Sequence, residues 1–232
     1  MMDNSIFKIE GDVLVECVCQ QDVVAVPEGI TEIGNFAFMN HRRIKKIILP
    51  DSVRKIGANA FARCQILRQV ILGKGLLYVG NGAFVSCPEL ELLELPDGIR
   101  TIADYAFSGL PIGRIALPDS LTELGKNAFS GCNKVKSLTI GTSISEIKER
   151  TFSGLAQLRE LHVPGNVKLI EQYAFTNCSE LREVYLSEGV AKIEDLAFYK
   201  CTALQKVKLP NSLTDITKYA FWECGVNPKA DV

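Results

Sequence analysis

Phenylalanine recurs along this chain at an almost constant interval. Nine of the eleven phenylalanines form one series, in which seven of the eight intervals are 23 residues and one is 22. The series is Phe38, Phe61, Phe84, Phe107, Phe129, Phe152, Phe175, Phe198 and Phe221. A side chain that returns at a fixed period of this length indicates a chain built from stacked, near-identical units. The spacing therefore predicts a solenoid of about nine repeats.

Aliphatic residues keep the same register as the phenylalanines. The position five residues before each phenylalanine is Ile, Val or Leu in all nine units, and so is the position eight residues before it. After the phenylalanine, several units carry a spacing such as Leu67-x-x-Val70-x-Leu72. This is the strand segment of a leucine-rich repeat. One unit cannot bury its own apolar face, but stacked units form a continuous core.

Each strand segment is followed by residues that end a strand and turn the chain. Pro50-Asp51-Ser52 is one example and Gly73-Lys74-Gly75 is another. Proline and glycine favour turns through their backbone geometry, and aspartate and serine favour them through side-chain hydrogen bonds. The single short interval maps to residues 110–115, just before a strand. We expect a local kink there and no domain boundary.

The repeat unit has a specific family likeness. Written from this chain it is Leu49-Pro50-Asp51-Ser52-Val53-x-x-Ile56-Gly57-x-x-Ala60-Phe61-x-x-Cys64-x-x-Leu67, which closely resembles the BspA-type (Treponema-type) leucine-rich repeats. The opening segment 7–14, followed by 23–27, resembles the N-terminal capping hairpin of such proteins. The asparagine position of better-known repeats is mostly serine or glycine here, and only Asn166 keeps the asparagine.

Period and resemblance together predict an α/β-type leucine-rich-repeat solenoid. We expect a right-handed superhelix of about nine repeats, with a parallel concave β-sheet and short strands or 3₁₀ turns on the convex side. Residues 1–26 are assigned to a capping hairpin, 27–224 to the solenoid and 225–232 to a C-terminal tail, within one domain. The resemblance implies a non-enzymatic binding surface, which in some members is displayed outside the cell and is adhesive.

Charge and hydropathy exclude several classes of partner. The chain has 26 basic and 27 acidic side chains in 232 residues, a formal net charge of -1. No field is therefore available to hold nucleic acid or an anionic membrane. No run of about 18 apolar residues occurs, so we expect no membrane insertion. Because no signal peptide is recognisable, the expected location is cytoplasmic, or extracellular if an export signal is missing from the sequence.

Six of the eight cysteines occupy one position of the repeat, three residues after the phenylalanine. They are Cys64, Cys87, Cys132, Cys178, Cys201 and Cys224. Leu110 and Leu155 replace cysteine in two other units, which indicates an apolar, buried position where a thiol is inert. Cys178, Cys201 and Cys224 stand in line, but three thiols in a row suit neither tetrahedral ligation nor even pairing. We interpret all eight cysteines as thiols, because a chain of this size can bury enough surface without disulfides.

Two further features suggest chemistry only weakly. Cys17-x-Cys19 has one intervening residue where zinc motifs have at least two, and two thiols on one face of a hairpin strand explain it equally well. His41 fills the cysteine position of the first unit, beside Cys64, which allows a remote hypothesis of a thiol enzyme that uses Cys64 and His41. No third residue is recognisable to orient that histidine. We therefore predict no enzymatic activity, no cofactor and no metal.

The residues between the core leucines of each strand point to the inner face of the superhelix, because side chains alternate along a strand. Exposed apolar residues there are candidates for a protein contact, and Tyr and Arg are frequent interface anchors. The candidate ligand-binding residues are Ile48, Ile71, Leu92, Arg159, His162, Arg182, Tyr185 and Lys208. β-branched and aromatic residues also suit a pleated surface without any ligand.

The first functional hypothesis is a protein-interaction module whose ligand contacts this concave face. The alternative is an extracellular, adhesin-like module that binds host or matrix proteins. At the carboxyl end the repeat stops shortly after Phe221, and a terminal repeat must cover its open end. We expect Trp222 and Tyr219 to help cover it, in a monomer or in a weak dimer that forms through this end.

Overall fold

The computed structural model describes residues 6–226, which form a β-solenoid of about nine turns. It opens with an antiparallel hairpin of β1 (Phe7–Glu10) and β2 (Val13–Cys17). Strand β2 then pairs in parallel with β4 (Glu32–Ile33) and so starts the stack. Most of the expected tail at 225–232 and the first five residues of the expected hairpin segment at 1–26 lie outside the described residues.

Each turn of the solenoid contributes two short strands. The first series carries the leucine pattern and comprises β3 (Val23–Ala25), β5 (Lys46–Ile48), β7 (Gln69–Ile71), β9 (Leu92–Leu93), β11 (Arg114–Ala116), β13 (Ser137–Thr139), β15 (Glu160–Val163), β17 (Glu183–Leu186) and β19 (Lys206–Lys208). The second comprises two-residue strands, namely β4, β6 (Lys55–Ile56), β8 (Tyr78–Val79), β10 (Thr101–Ile102), β12 (Glu123–Leu124), β14 (Glu146–Ile147), β16 (Leu169–Ile170), β18 (Lys192–Ile193) and β20 (Asp215–Ile216). Paired strands in each series run parallel.

The core lies between the two strand series and is filled by the repeated residues. Neighbouring phenylalanines of the series stack with ring centroids 4.7 to 6.0 Å apart. All nine rings are buried, and so are almost all of the aliphatic residues five and eight positions before them. The predicted stack of one residue on its equivalent in the next repeat is confirmed.

The described residues contain strands and turns but no α-helix, so the helical part of the expected α/β class is not seen there. The segment around each phenylalanine instead forms consecutive turns. In the first eight units both the residue two before the phenylalanine and the residue two after it have positive φ, for example Asn59 at 52° and Arg63 at 60°. Two left-handed residues four positions apart cannot belong to one right-handed helix, because each breaks its hydrogen-bond pattern.

Serine replaces the asparagine of better-known repeats in function as well as in position. The Ser52 hydroxyl donates to the Ile30 carbonyl at 2.8 Å, and Ser120 and Ser212 donate in the same way to Ile99 and Val190. Asn166 donates through its amide to the Ile144 carbonyl at 2.6 Å. Each of these side chains satisfies a carbonyl of the preceding turn, which otherwise lies unpaired at the sharp bend.

The first strand series is interrupted twice. Pairing joins β3 to β9, then β11 to β13, then β15 to β19, within the described residues. The first interruption lies between β9 and β11, where the repeat is one residue short. The second, between β13 and β15, falls in a repeat of ordinary length. The second series stays paired at the level of the first interruption, where β10 pairs with β12. Within the described residues it breaks only between β12 and β14.

The C-terminal turn is only partly covered by its aromatic residues. Tyr219 and Trp222 meet edge to face with ring centroids 5.2 Å apart, next to the buried Phe221. Trp222 remains 50% exposed and Tyr219 38% exposed. Both rings therefore pack beside the last buried phenylalanine and leave their outer parts exposed to solvent.

We predict that Phe107→Ala lowers the free energy of unfolding by about 3–5 kcal/mol, because it removes a buried ring from the middle of the stack. Phe107 contacts Phe84 on one side and Phe129 on the other. The matched control is Leu77→Ala, at a side chain that is 40% exposed, which should change stability by no more than about 0.5 kcal/mol. Urea unfolding followed by circular dichroism measures both, and equal losses in the two variants would contradict the stack as the main packing element.

Candidate ligand-binding face

The outward residues of the first strand series form one surface, which we call the strand face. The burial of the strands alternates as the pattern predicts: Leu161 and Val184 are buried, whereas Glu160 and His162 are exposed. The alternation follows from the pleat, which directs successive side chains to opposite sides. Of the residues that the sequence nominated as ligand-binding, the strand face carries Ile48, Ile71, His162, Tyr185 and Lys208.

The amino-terminal part of the strand face carries aliphatic side chains beside the polar Lys46 and Gln69. Ile48 and Ile71 lie directly beside each other in the paired strands β5 and β7. Ile71 is 40% exposed and Ile48 is half-buried. Leu92 follows at the start of β9, and its side chain lies outside what the structure describes.

The carboxyl-terminal part carries a cluster of aromatic and charged side chains, which we call the aromatic cluster. Its members come from β15, β17 and β19 and are Glu160, His162, Glu183, Tyr185, Lys206 and Lys208. The strand register places His162 beside Tyr185 and Tyr185 beside Lys208. Arg159 and Arg182, one residue before β15 and β17, are also exposed.

Two rings stack at the centre of the aromatic cluster. The His162 imidazole and the Tyr185 ring are 4.7 Å apart and within 9° of parallel. Lys206 places its ammonium 4.9 Å from the Tyr185 ring centroid and 2.9 Å from the Tyr185 hydroxyl oxygen. Both interactions are favourable for a cation beside an aromatic ring. The rings are thus held in place while one side of the stack faces solvent.

Carboxylates anchor both rings of the aromatic cluster. Glu160 lies 2.5 Å from the His162 Nε2 atom, and the Tyr185 hydroxyl donates to Glu183. The hydrogen bond from Tyr185, with a further contribution from the charge of Lys206, lowers the pKa of Glu183. The same hydroxyl and the Glu183 charge raise the pKa of Lys206. Glu183, Tyr185 and Lys206 are thus joined by hydrogen bonds and an ion pair on an exposed surface.

A small cavity opens beside Arg159, at the edge of the aromatic cluster. Its volume is about 290 Å³, and it is lined by Lys136, Gln157, Arg159 and Glu180. Arg159 and Glu180 bridge across it at 3.2 Å. All four lining residues are polar or charged, but most of the surface that they present to the cavity is the aliphatic part of their side chains.

The structure places His41 next to a different cysteine from the one the sequence suggested. Its Nε2 atom lies 3.5 Å from the Cys19 sulfur and 3.1 Å from the Cys19 carbonyl oxygen. Cys64 instead donates its thiol proton to the Phe38 carbonyl at 3.1 Å. The remote hypothesis of a Cys64–His41 nucleophilic pair is therefore replaced by a Cys19–His41 contact. Sequence spacing paired His41 with the following turn, whereas Cys19 lies 22 residues earlier, in the loop after β2.

The six cysteines of the repeat position share one structural role. Each donates its thiol to the carbonyl of the phenylalanine in the preceding turn, as Cys87 does to Phe61 at 3.1 Å. The hydrogen bond with the neighbouring Cys87 thiol, together with burial, raises the pKa of Cys64. Burial raises the pKa of Cys132 to about 12. A buried thiol with a raised pKa is a poor nucleophile.

Known proteins show the same repeat. The sequence model of the BspA type leucine rich repeat region matches residues 7–134 and 100–227, with six copies. The fold and this match define a leucine-rich repeat protein, of a kind that is generally non-enzymatic and typical of protein-interaction or surface proteins. The chain belongs to the BspA type leucine-rich repeat family.

Solved structures agree with this assignment. A leucine-rich repeat protein of T. pallidum is 25% identical, with a TM-score of 0.71, over 78% of this chain and 90% of that chain. A leucine-rich repeat protein from Bacteroides ovatus is 19% identical, with a TM-score of 0.61, over 92% and 87%. The pneumococcal vaccine antigen PcpA is 21% identical, with a TM-score of 0.57, over 93% and 70%. The last two show the fold alone.

No curated protein matches the chain. Across residues 6–226 no helix is long and apolar enough to cross a lipid bilayer.

We predict that iodoacetamide alkylates Cys224 of the folded protein well before Cys64 or Cys132. Cys224 is only half-buried, and its hydrogen bond with the Cys201 thiol lowers its pKa, whereas the other two are fully buried. Peptide mass spectrometry at timed intervals gives the order, and alkylation in urea, where all thiols are exposed, is the control. Fast modification of Cys64 in the folded protein would revive the thiol-enzyme hypothesis.

Proposed function

We propose that this chain is a non-enzymatic protein-binding module whose ligand contacts the strand face. The observation that carries the proposal is the aromatic cluster, where His162, Tyr185 and Lys206 are held together on a solvent-facing sheet. Side chains that are already ordered lose little conformational entropy when a partner covers them. Tyrosine supplies a large contact area with few rotatable bonds, which is why it recurs at interfaces.

The surroundings of the aromatic cluster favour a partner of mixed polarity. Arg159 and Arg182 stand at its edge, and the small cavity lies beside Arg159. Arginine adds hydrogen-bond donors in a fixed geometry that suits carboxylates and backbone carbonyls of a protein ligand. A protein segment with an apolar or aromatic residue over the rings and acidic groups at the rim complements this surface.

Ile48 and Ile71 extend the proposed contact toward the amino-terminal end. Both are aliphatic side chains on adjacent strands, and Ile71 exposes 40% of its surface. Apolar residues that remain exposed on a sheet are favourable sites for burial against a partner. These two residues give the strand face an aliphatic patch at one end and the aromatic cluster at the other.

A reducing compartment is the proposed place of action. The six repeat cysteines donate their thiol protons to phenylalanine carbonyls, and a cysteine in a disulfide has no such proton. Fractionation of the source cells with an antibody to the chain distinguishes this location from the extracellular alternative, an adhesin-like module.

Two substitutions on the strand face test the proposal, one of a ring and one of a charge. Each is matched by a control substitution on the opposite side of the solenoid. Tyr185→Asn and Lys208→Glu should each weaken binding of a captured ligand by about fivefold or more, since loss of an interface anchor costs more than about 1 kcal/mol. Tyr105→Asn and Arg100→Glu are the matched controls, because both residues are exposed next to the second strand series. They should leave affinity unchanged.

Binding is measured by titration calorimetry with a ligand first isolated on the immobilised wild-type chain. Circular dichroism confirms that all four variants fold. If the two control variants weaken binding as much as the two strand-face variants, the contact lies elsewhere on the solenoid and the proposal is wrong.

A further inference from the structure

Three potential metal ligands meet at the amino-terminal end of the solenoid, away from the strand face. The sulfurs of Cys17 and Cys19 and a ring nitrogen of His41 all lie within 4.8 Å of one another. Cys17 ends strand β2, Cys19 lies in the loop that follows, and His41 lies in the turn after Phe38. The group thus joins two segments of the chain, the end of the hairpin and the turn after Phe38.

The separations agree with those between ligands of a tetrahedral zinc ion. Bonds of about 2.3 Å to sulfur and about 2.1 Å to nitrogen place two ligand atoms about 3.6 Å apart at the tetrahedral angle. The His41 Nε2 atom is 3.5 Å from the Cys19 sulfur. Two sulfurs on the same ion lie about 3.8 Å apart, so the two thiols need to move by no more than about 1 Å.

The backbone already holds the sulfur ligands in place. The Cys17 amide donates to the Ala37 carbonyl at 2.9 Å, and the Val18 amide donates to the Ile6 carbonyl at 2.9 Å. Cys17 and Cys19 are buried, whereas Val18 between them is 58% exposed. One intervening residue that points outward leaves both cysteine side chains on the inner side of the loop, facing His41.

From this placement we propose that Cys17, Cys19 and His41 bind a zinc ion that fastens the amino-terminal cap to the first full repeat. Two thiolates and one imidazole are a ligand set that zinc prefers, and a fourth ligand completes the tetrahedron. His41 is half-buried, so one side of the group remains open to a water molecule. Binding releases the two thiol protons.

The imidazole must change its proton position when the ion binds. Its Nδ1 atom accepts two long hydrogen bonds of 3.4 Å from the amides of Arg43 and Ile44, so Nε2 carries the proton in the metal-free form. Zinc takes the lone pair of Nε2, and the proton then resides on Nδ1. The two long contacts are given up, and the neighbouring Arg42 and Arg43 side chains are exposed, which leaves the turn free to adjust.

The cysteines of the repeat position can be compared with the amino-terminal group as possible metal ligands. Cys178, Cys201 and Cys224 stand in adjacent turns, but their thiols donate to phenylalanine carbonyls and no histidine accompanies them. Cys64 is engaged in the same way with Phe38. The proposal therefore assigns zinc to the amino-terminal group and not to the repeat position.

Cobalt and zinc titrations of the reduced, chelator-treated full chain test the proposal. We expect one equivalent of Co²⁺ to give the absorption of tetrahedral cobalt with thiolate ligands, and one equivalent of Zn²⁺ to displace it and raise the melting temperature. Cys19→Ser and His41→Ala should each weaken the affinity more than about tenfold, since even outer ligand partners have effects of that size. Cys201→Ser, a matched change in the repeat position, should bind as the wild type does.

Several results would overturn the proposal. Absence of stoichiometric cobalt absorption in the wild type is one. Binding that survives His41→Ala, or that is abolished by Cys201→Ser and kept by Cys19→Ser, is another. Because the zinc-dependent melting shift is measured on the wild type itself, the test does not depend on a variant that folds poorly.

Discussion

Backbone hydrogen bonds between successive turns determine this structure. The Phe38 amide donates to the Ala60 carbonyl at 2.7 Å, the Phe61 amide to Ala83 at 2.8 Å, and the pattern continues to Phe198 and Ala220. These bonds occur in the turn segments, where no strand is formed, so the ladder runs along more than the two strand series. A fixed offset of 22 or 23 residues follows from it. Once the backbones are held at that offset, each ring must pack on its equivalent. Every core side chain must therefore be one that can pack against the side chain at the same position of the next repeat.

Much of the fold follows from the sequence because of that self-packing. Spacing alone predicts as core the series of phenylalanines that includes Phe61, the aliphatic residues before each of them and the cysteines after them. The backbone conformation of the turns is harder to predict from the sequence. Gly and Asn at positions such as Gly82, Asn59 and Gly154 do signal positive φ, but Tyr173 and Leu196 take the same conformation without any local signal. There the hydrogen-bond ladder imposes the conformation, and local preference is overridden.

The candidate sites divide in the same way. The sequence identified His162 and Tyr185 as outward residues because strand alternation is regular, and their ring stacking follows from parallel register. The network of Glu160, Glu183 and Lys206 around them depends on side-chain rotamers, which spacing does not specify. The Cys19–His41 contact was not identified because spacing paired His41 with Cys64, 23 residues later, and not with Cys19, 22 residues earlier. The cysteine position of the repeat is counted from a phenylalanine, so the two cysteines before the first phenylalanine of the series stand outside the pattern from which the core is predicted.

Deletion of one whole period tests the dependence on register most directly. Removal of residues 171–193 joins Ile170 to Glu194 and preserves every equivalence, so the account predicts a folded chain with cooperative urea unfolding and a smaller denaturant slope, since less surface is exposed. Removal of residues 171–182 takes out about half a period and should abolish cooperative unfolding of the carboxyl-terminal turns. If both deletions leave the chain equally folded, or if both unfold it, the register between successive turns is not the constraint that holds this protein together.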